Sequence, residues 1–143
     1  MSTVTLVFAR SRRPDSYLLR AAMWSRWSHV GLVMPGGKEI IDATFFHDVS
    51  KRPLADLHAV SSHIETRKVV CPNPRGAYEF ARSQIGKKYD TLGVIGIVFH
   101  RDWQTDDKWF CSEFVEACLA AGGNKRFING VHRVTPQHSW MVA

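Results

Sequence analysis

The chain contains few cysteines, and their arrangement suggests neither a set of disulfides nor a zinc site. The three cysteines are Cys71, Cys111 and Cys118. An odd number without close spacing does not make a disulfide framework, and the chain has no CxxC pair of the kind that binds zinc. We therefore expect three reduced thiols, and we predict no metal and no other cofactor.

The chain also lacks a hydrophobic run long enough to cross a membrane. Its most apolar segment, TLGVIGIVF at 91–99, has about half of the roughly 18 residues that a span needs. The N-terminal sequence MSTVTLVFARSRR carries its charges after a short apolar run, whereas a secretory signal carries them before a longer one. We therefore expect synthesis in the cytoplasm, and placement in a virion or export by another route stays open.

Composition and charge are those of a basic globular protein. The 143 residues are 45% apolar and 22% charged, which predicts one folded domain over 1–143. The net charge of +6 suits an anionic partner such as nucleic acid, a membrane surface or a cell-wall polymer. Nucleic acid is the least favoured of these, because the lysines and arginines are scattered and no recognised binding module is present.

The order of the predicted elements indicates an α+β fold. Strands are predicted at 4–10, 28–34, 38–45 and 63–70, with a tight PGG turn at 35–37. Helices are predicted at 14–23, 53–60, 73–86 and 107–123, with a last short one from Thr135. The segment 89–99 is ambiguous, because its glycines weaken a helix that its flanks favour. Strands that come early and helices that come late predict an antiparallel sheet packed against helices.

Cys111 lies near the start of the predicted helix 107–123. Asp106 and Asp107 precede it and are predicted to cap the helix. The residues that follow it at steps of three and four form one helix face: Phe114, Val115, Cys118, Leu119 and Gly122. A thiol at a helix start is favoured as thiolate by the dipole and by free N–H groups, which can also hold an oxyanion. Cys118 lies deeper and is predicted to pack in the core. An ordinary core role for Cys111 is the alternative.

A histidine and an acid lie close together on the hairpin 28–45. If the turn centres on Gly36–Gly37, opposed residues have numbers that sum to 73. His29 then faces Thr44, Gly31 faces Asp42, and all four lie on one face of the sheet. Asp42 is the diagonal neighbour of His29, at roughly 7–8 Å between backbones, and can orient its imidazole. The alternative is an ordinary surface pair, and a turn shifted by one residue would move Asp42 to the other face.

These segments together resemble a family of papain-like cysteine hydrolases. HVGLV…GGKEIIDA resembles the histidine hairpin of NlpC/P60-type enzymes, WFCSEFVEACLAAGG resembles their nucleophile helix, and GKKYDTLGVIG resembles the aromatic segment that precedes that helix. The order of histidine before cysteine resembles the circularly permuted branch that includes YiiX and lecithin-retinol-acyltransferase-like proteins. RVTPQHSW near the end resembles a segment of that branch. The resemblance implies a papain-like antiparallel sheet with the nucleophile at a helix start.

The resemblance assigns roles to four residues. Cys111 would be the nucleophile, His29 the general base, and Asp42 the group that orients His29. Members of the family carry His, Glu, Asn or Gln at the third position, so Asp42 departs from the pattern. Tyr89 would help to bind substrate or the oxyanion, with simple packing as the alternative. The other six histidines show no metal-type spacing.

The activity that the resemblance implies is hydrolysis of an amide bond through a thioacyl intermediate. The expected substrate is a peptide, in particular a peptidoglycan peptide in a bacterial or phage setting. One alternative is an acyltransferase or deacylase that acts on lipid or ester substrates. Another is a non-catalytic module of a phage or secretion apparatus that retains the fold.

Overall fold

The protein is described here by a computed structural model, which covers residues 2–11, 27, 29–44, 48–89, 108–109, 111–126 and 136–141. The helix predicted at 14–23, the ambiguous segment from 90 onward and the predicted capping residues Asp106 and Asp107 lie outside these residues. In chain order the described elements are β1 Thr3–Ser11, β2 His29–Val33, β3 Glu39–Thr44, β4 Asp48–Pro53, α1 Leu54–Val60, β5 Ser61–Val70, α2 Pro74–Ser83, β6 Lys88–Tyr89, β7 Lys108–Trp109, α3 Cys111–Ala121 and α4 Pro136–Met141.

Five of the strands form one antiparallel sheet in the order β4-β3-β2-β1-β5. The α+β prediction, with an antiparallel sheet packed against helices, is therefore confirmed. Strand β2 pairs with β3 through Leu32–Ile41 and Val33–Ile40, which is the predicted register. Gly36 and Gly37 have φ of 95° and 73°, a conformation that glycine adopts at little cost.

Strand β4 was not predicted from the sequence. Its segment DVSKRP is mostly polar, and only Val49 is fully buried. Such a strand can occupy a sheet edge, where one side of the ladder is open and a proline at the end breaks no bond. β4 pairs with β3 along its whole length, from Thr44–Asp48 to Glu39–Pro53.

Both faces of the sheet carry apolar cores. The larger core joins β1, β2 and β3 to helix α3, and it includes Leu6, Phe8, Val30, Leu32, Ile41, Phe114, Val115 and Leu119. The smaller core, on the opposite face, joins Val7, Ala9, Val33 and Ile40 to Leu57 of α1. Burying each large side chain contributes about 1.5–3 kcal/mol, so the two cores hold the sheet and its helices as one unit.

Helix α2 begins as predicted and brings the chain back to the sheet. The Asn73 side chain accepts a hydrogen bond from the N–H of Gly76 at 3.1 Å, and Pro74 is the first helical residue, a pairing typical of helix starts. After the helix, Gly86 and Lys87 exchange backbone hydrogen bonds with Val49 of β4 at 2.8 and 2.9 Å. Strand β6 follows directly and pairs in parallel with β7, which ends two residues before α3 begins.

Candidate active site

The hairpin of β2 and β3 brings His29 and Asp42 into contact, as predicted. His29 is the first residue of β2, and its Nε2 lies 2.6 Å from Oδ2 of Asp42. Gly31 leaves the space for this contact, because a Cβ at Gly31 would lie only 3.2 Å from the Cβ of Asp42. Since a carboxylate has only acceptor oxygens when ionised, Nε2 carries the proton and donates it.

Asp42 is fully buried, and its charge is held by two partners. Besides His29, Arg52 donates from Nε to Oδ1 at 3.2 Å and from Nη2 to Oδ2 at 2.7 Å. Burial alone would raise the pKa of Asp42, but the hydrogen bonds and charges of His29 and then Arg52 lower it below its usual value. The carboxylate is therefore ionised at neutral pH, as a buried charge with two close cationic partners is expected to be.

The candidate nucleophile meets the other side of the imidazole. Cys111 is the first residue of α3, is 1% exposed, and lies close enough to the His29 side chain to act on its pKa. Because Asp42 occupies Nε2, the second ring nitrogen, Nδ1, is the one left to face the sulfur. Strand alternation puts His29 on the face of Val33 and Ile40, whereas Cys111 belongs to the larger core on the other face. The two side chains therefore meet at the N-terminal end of β2, where His29 begins the strand.

The imidazole of His29 is held in its protonated form. Burial alone would lower its pKa, but the hydrogen bond to Asp42, then that to Cys111, and the charges of both raise it from 6.5 to about 9. A cationic imidazole beside a sulfur favours the thiolate. Cys111 is the first residue of α3, so its sulfur lies at the positive end of the helix dipole, which favours negative charge there. Nucleophile, base and orienting acid are the parts that acyl transfer needs.

The other two cysteines lie in the core. Cys71 and Cys118 are free and buried, and burial raises the pKa of both, with the charge of Glu116 adding to the effect at Cys118. Cys118 packs in the larger core, as predicted. The predicted helix face is buried as well, but Ser112, Glu113 and Glu116 of the same helix are also buried. The burial of these three polar residues was not predicted from the sequence, because a single apolar stripe along a helix predicts one buried face.

Tyr89 is described only through its backbone. It belongs to β6 and pairs with Trp109 of β7, which places it on the strand beside the one that leads to α3. Its predicted contact with substrate stays a prediction. In the described part of the chain, no three His, Cys, Asp or Glu side chains are grouped as metal ligands, and none of the described helices is long and apolar enough to cross a membrane.

A five-stranded antiparallel sheet, with a histidine strand against a cysteine at a helix start, defines a papain-like architecture. A family model of permuted papain-like amidase enzymes, the YaeF/YiiX or C92 family, matches residues 5–140. The chain therefore belongs to that family of hydrolases. The prediction of a permuted papain-like hydrolase is confirmed at this level, whereas the finer resemblance to NlpC/P60 and lecithin-retinol-acyltransferase-like proteins stays a prediction.

Five solved chains match this one. One of them, the crystal structure of metalloprotein yiiX from Escherichia coli O157:H7, is 24% identical, with a TM-score of 0.64 over 87% of this chain and 68% of that chain. This likeness supports the fold. A search of curated proteins finds no match.

Proposed function

We propose that the protein is a cysteine amidase that cleaves an amide bond with Cys111 as nucleophile, His29 as general base and acid, and Asp42 as the group that orients His29. The observation that carries the proposal is that His29 is hydrogen bonded to Asp42 at 2.6 Å and lies close enough to Cys111 for the thiol to act on its pKa. A buried carboxylate that fixes one ring nitrogen while the other faces a helix-start thiol is the arrangement that nucleophilic catalysis needs.

The proposed reaction has two stages. In the first, the Cys111 thiolate forms a C–S bond with the amide carbon, and backbone N–H groups at the start of α3 hold the oxyanion. The C–N bond then breaks as His29 gives its proton to the leaving amine. In the second stage His29 takes a proton from water, the hydroxyl oxygen bonds to the thioester carbon, the C–S bond breaks, and a carboxylic acid leaves.

The proposed substrate is a peptide, in particular a peptide of a bacterial cell wall. The family description as amidase favours an amide over an ester, and the net charge of +6 suits an acidic polymer. The same charge also suits an anionic membrane surface, so cleavage or transfer of a lipid acyl group is the alternative outcome of a substrate screen. A module that keeps the fold without activity is the other.

Selective labelling tests the nucleophile. Iodoacetamide should modify Cys111 much faster than Cys118. Cys118 serves as an internal control because it is about as buried as Cys111 and its pKa is raised by that burial. His29→Ala should remove this enhanced reactivity while the circular dichroism spectrum stays unchanged. Mass mapping of the labelled peptides gives the site. Equal labelling of the two cysteines would count against Cys111 as nucleophile.

Hydrolysis assays test the reaction itself. Wall peptides and acyl lipids should be offered in parallel to the parent protein and to Cys111→Ala. We expect amine release from a peptide by the parent alone. Release of fatty acid instead would favour the lipid alternative. Identical behaviour of parent and Cys111→Ala on every substrate would support the non-catalytic module.

A further inference from the structure

Among the described residues, Arg52 is the one charged group in contact with Asp42 that the proposed mechanism does not use. It lies on β4 opposite Ile40, so it is the diagonal neighbour of Asp42. Its side chain is 16% exposed, and its two hydrogen bonds form a fork on the carboxylate. Its Nη2 donates to the same oxygen, Oδ2, that accepts from His29. The imidazole therefore shares this oxygen with a permanent cation.

The charges of the site balance only if Arg52 is counted. A thiolate at Cys111 and an imidazolium at His29 sum to zero, and Arg52 with Asp42 also sum to zero. Without Arg52, one imidazolium would serve two anions, the carboxylate and the thiolate, inside a poorly solvated site. A buried net charge is costly, so without Arg52 the imidazolium would pair mainly with Asp42 and offer less of its charge to a sulfur anion.

We propose that Arg52 is a positioning residue that cancels the charge of Asp42, so that Asp42 orients His29 while the positive charge of His29 stays available to the Cys111 thiolate. The effect of Arg52 on catalysis rests on the proposed function. Its effect on the charge of His29 does not, because that charge is set by the side chains around His29 whether or not a substrate is turned over.

The groups that face His29 can be stated for the described part of the chain. From β3 it meets Asp42, and from α3 it meets Cys111. On β1 the opposed residue is the apolar Ala9. Asp42 in turn meets His29 from β2 and Arg52 from β4, where its paired residue is Ser50. Arg52 therefore acts on His29 through the shared carboxylate.

The test replaces Arg52 with Met, which keeps the length of the side chain and removes its charge. In a Cys111→Ala background, proton NMR should show the titration midpoint of His29 shifted upward by about one pH unit or more, since loss of a cation about 4 Å away at an effective dielectric near 20 gives up to about three units. With Cys111 present, iodoacetamide labelling at pH 7 should slow by about tenfold or more. kcat should fall with little change in KM.

Two further variants separate charge from structure. Arg52→Lys keeps the charge and loses the fork, so it should retain the midpoint of His29 and most of the labelling rate. Arg75→Met makes the same change of net charge at a side chain that is 88% exposed, and it should change neither quantity. Circular dichroism and urea unfolding of each variant show whether it is folded. If Arg52→Met is not, Arg52→Gln, which is also neutral, takes its place in the same measurements.

The outcomes are distinct. An unchanged or lowered titration midpoint of His29 in Arg52→Met would overturn the proposal, because Arg52 would then only stabilise the fold or hold the carboxylate in place. Equal effects of Lys and Met would overturn it as well. If Cys111→Ala retained full hydrolytic activity, the proposed function would fall, yet the NMR midpoint in the Arg52 variants would still decide the electrostatic role.

Discussion

Replacing Asp42 with Asn removes the charge that keeps His29 protonated and leaves the shape of the side chain nearly unchanged. The pKa of His29 is raised from 6.5 to about 9, a difference of about two and a half pH units. At 1.36 kcal/mol per unit this corresponds to about 3 kcal/mol of preference for the imidazolium in the folded protein. In Asp42→Asn the burial of His29, which is the largest single effect and lowers its pKa, acts without the carboxylate. The pKa of His29 should therefore fall well below 9.

The sign of the pH dependence follows from these values. A group whose pKa is higher in the folded protein stabilises the fold fully below its unfolded pKa, and that stabilisation is lost as the pH rises through the folded pKa. In the parent protein, His29 should therefore make the free energy of unfolding decrease between about pH 6.5 and pH 9. In Asp42→Asn this decrease should largely disappear, because the two pKa values of His29 come close together.

The same substitution leaves Arg52, whose side chain is 16% exposed, without its carboxylate. Removing one partner of a buried pair costs about 3–5 kcal/mol, against a typical total stability of about 5–15 kcal/mol, so the variant should fold but unfold at lower urea. The double variant Asp42→Asn with Arg52→Met removes the uncompensated cation and should recover part of the loss. Activity should weaken rather than disappear, because Cys111 and His29 remain.

The measurements are NMR titration of His29 and urea unfolding at several pH values from 6 to 9. Parent, single and double variants are compared under the same salt conditions. A His29 midpoint that stays near 9 in Asp42→Asn would refute the reasoning, since it would mean that the carboxylate does not set the charge of the imidazole. An unchanged slope of stability against pH would refute it by a second route.

Two further predictions concern the packing around α3. Gly122→Ala puts a Cβ 2.3 Å from the sulfur of Cys71, so the free energy of unfolding, measured with urea, should fall by about 1–3 kcal/mol. Adding Cys71→Ala should restore part of this loss. Full stability of Gly122→Ala alone would contradict the steric argument. Glu116→Gln leaves the buried Arg126 without its ionised partner and should cost about 3–5 kcal/mol in urea unfolding. The double variant with Arg126→Met should lose less, and an equal loss would argue against a paired role.

The hairpin part of the site was predictable from the sequence because its causes are local. Two glycines at 36–37 fix the turn, the turn fixes the register, and the register makes Asp42 the diagonal neighbour of His29. The structure has this register and the contact at 2.6 Å. Periodicity and turn chemistry act over a few residues, so these features do not depend on the rest of the fold.

Arg52 was missed because its burial has a tertiary origin. The segment 48–53 has few apolar residues, and an arginine beside a terminal proline suggests an exposed loop. The residue becomes largely buried because β4 pairs with β3, which brings the guanidinium to a carboxylate. One signal could have suggested it: buried charges are usually paired, and the neighbouring strand is a place from which a partner of Asp42 can come.

The meeting of Cys111 with His29 could not be derived from periodicity at all. Helix amphipathicity gives the buried face of α3, and strand alternation gives the face of His29, but these lie in cores on opposite sides of the sheet. The contact depends on where the start of α3 lies relative to the end of β2, which is set by the packing of the whole helix. Only the family resemblance linked the two residues beforehand.

This division explains why the order of the two residues along the chain does not constrain such a site. His29, Asp42 and Arg52 come from three consecutive antiparallel strands, so one short stretch of chain supplies the proposed base, the proposed orienting acid and the proposed balancing cation. The thiol is the only part that arrives from elsewhere, and it needs only a helix whose first turn reaches the end of β2. A helix that follows the sheet in sequence satisfies this condition as well as one that precedes it. The demanding requirement is electrostatic: the buried charge of Asp42 needs partners, and in the role proposed for Arg52 a cation on the neighbouring strand balances it.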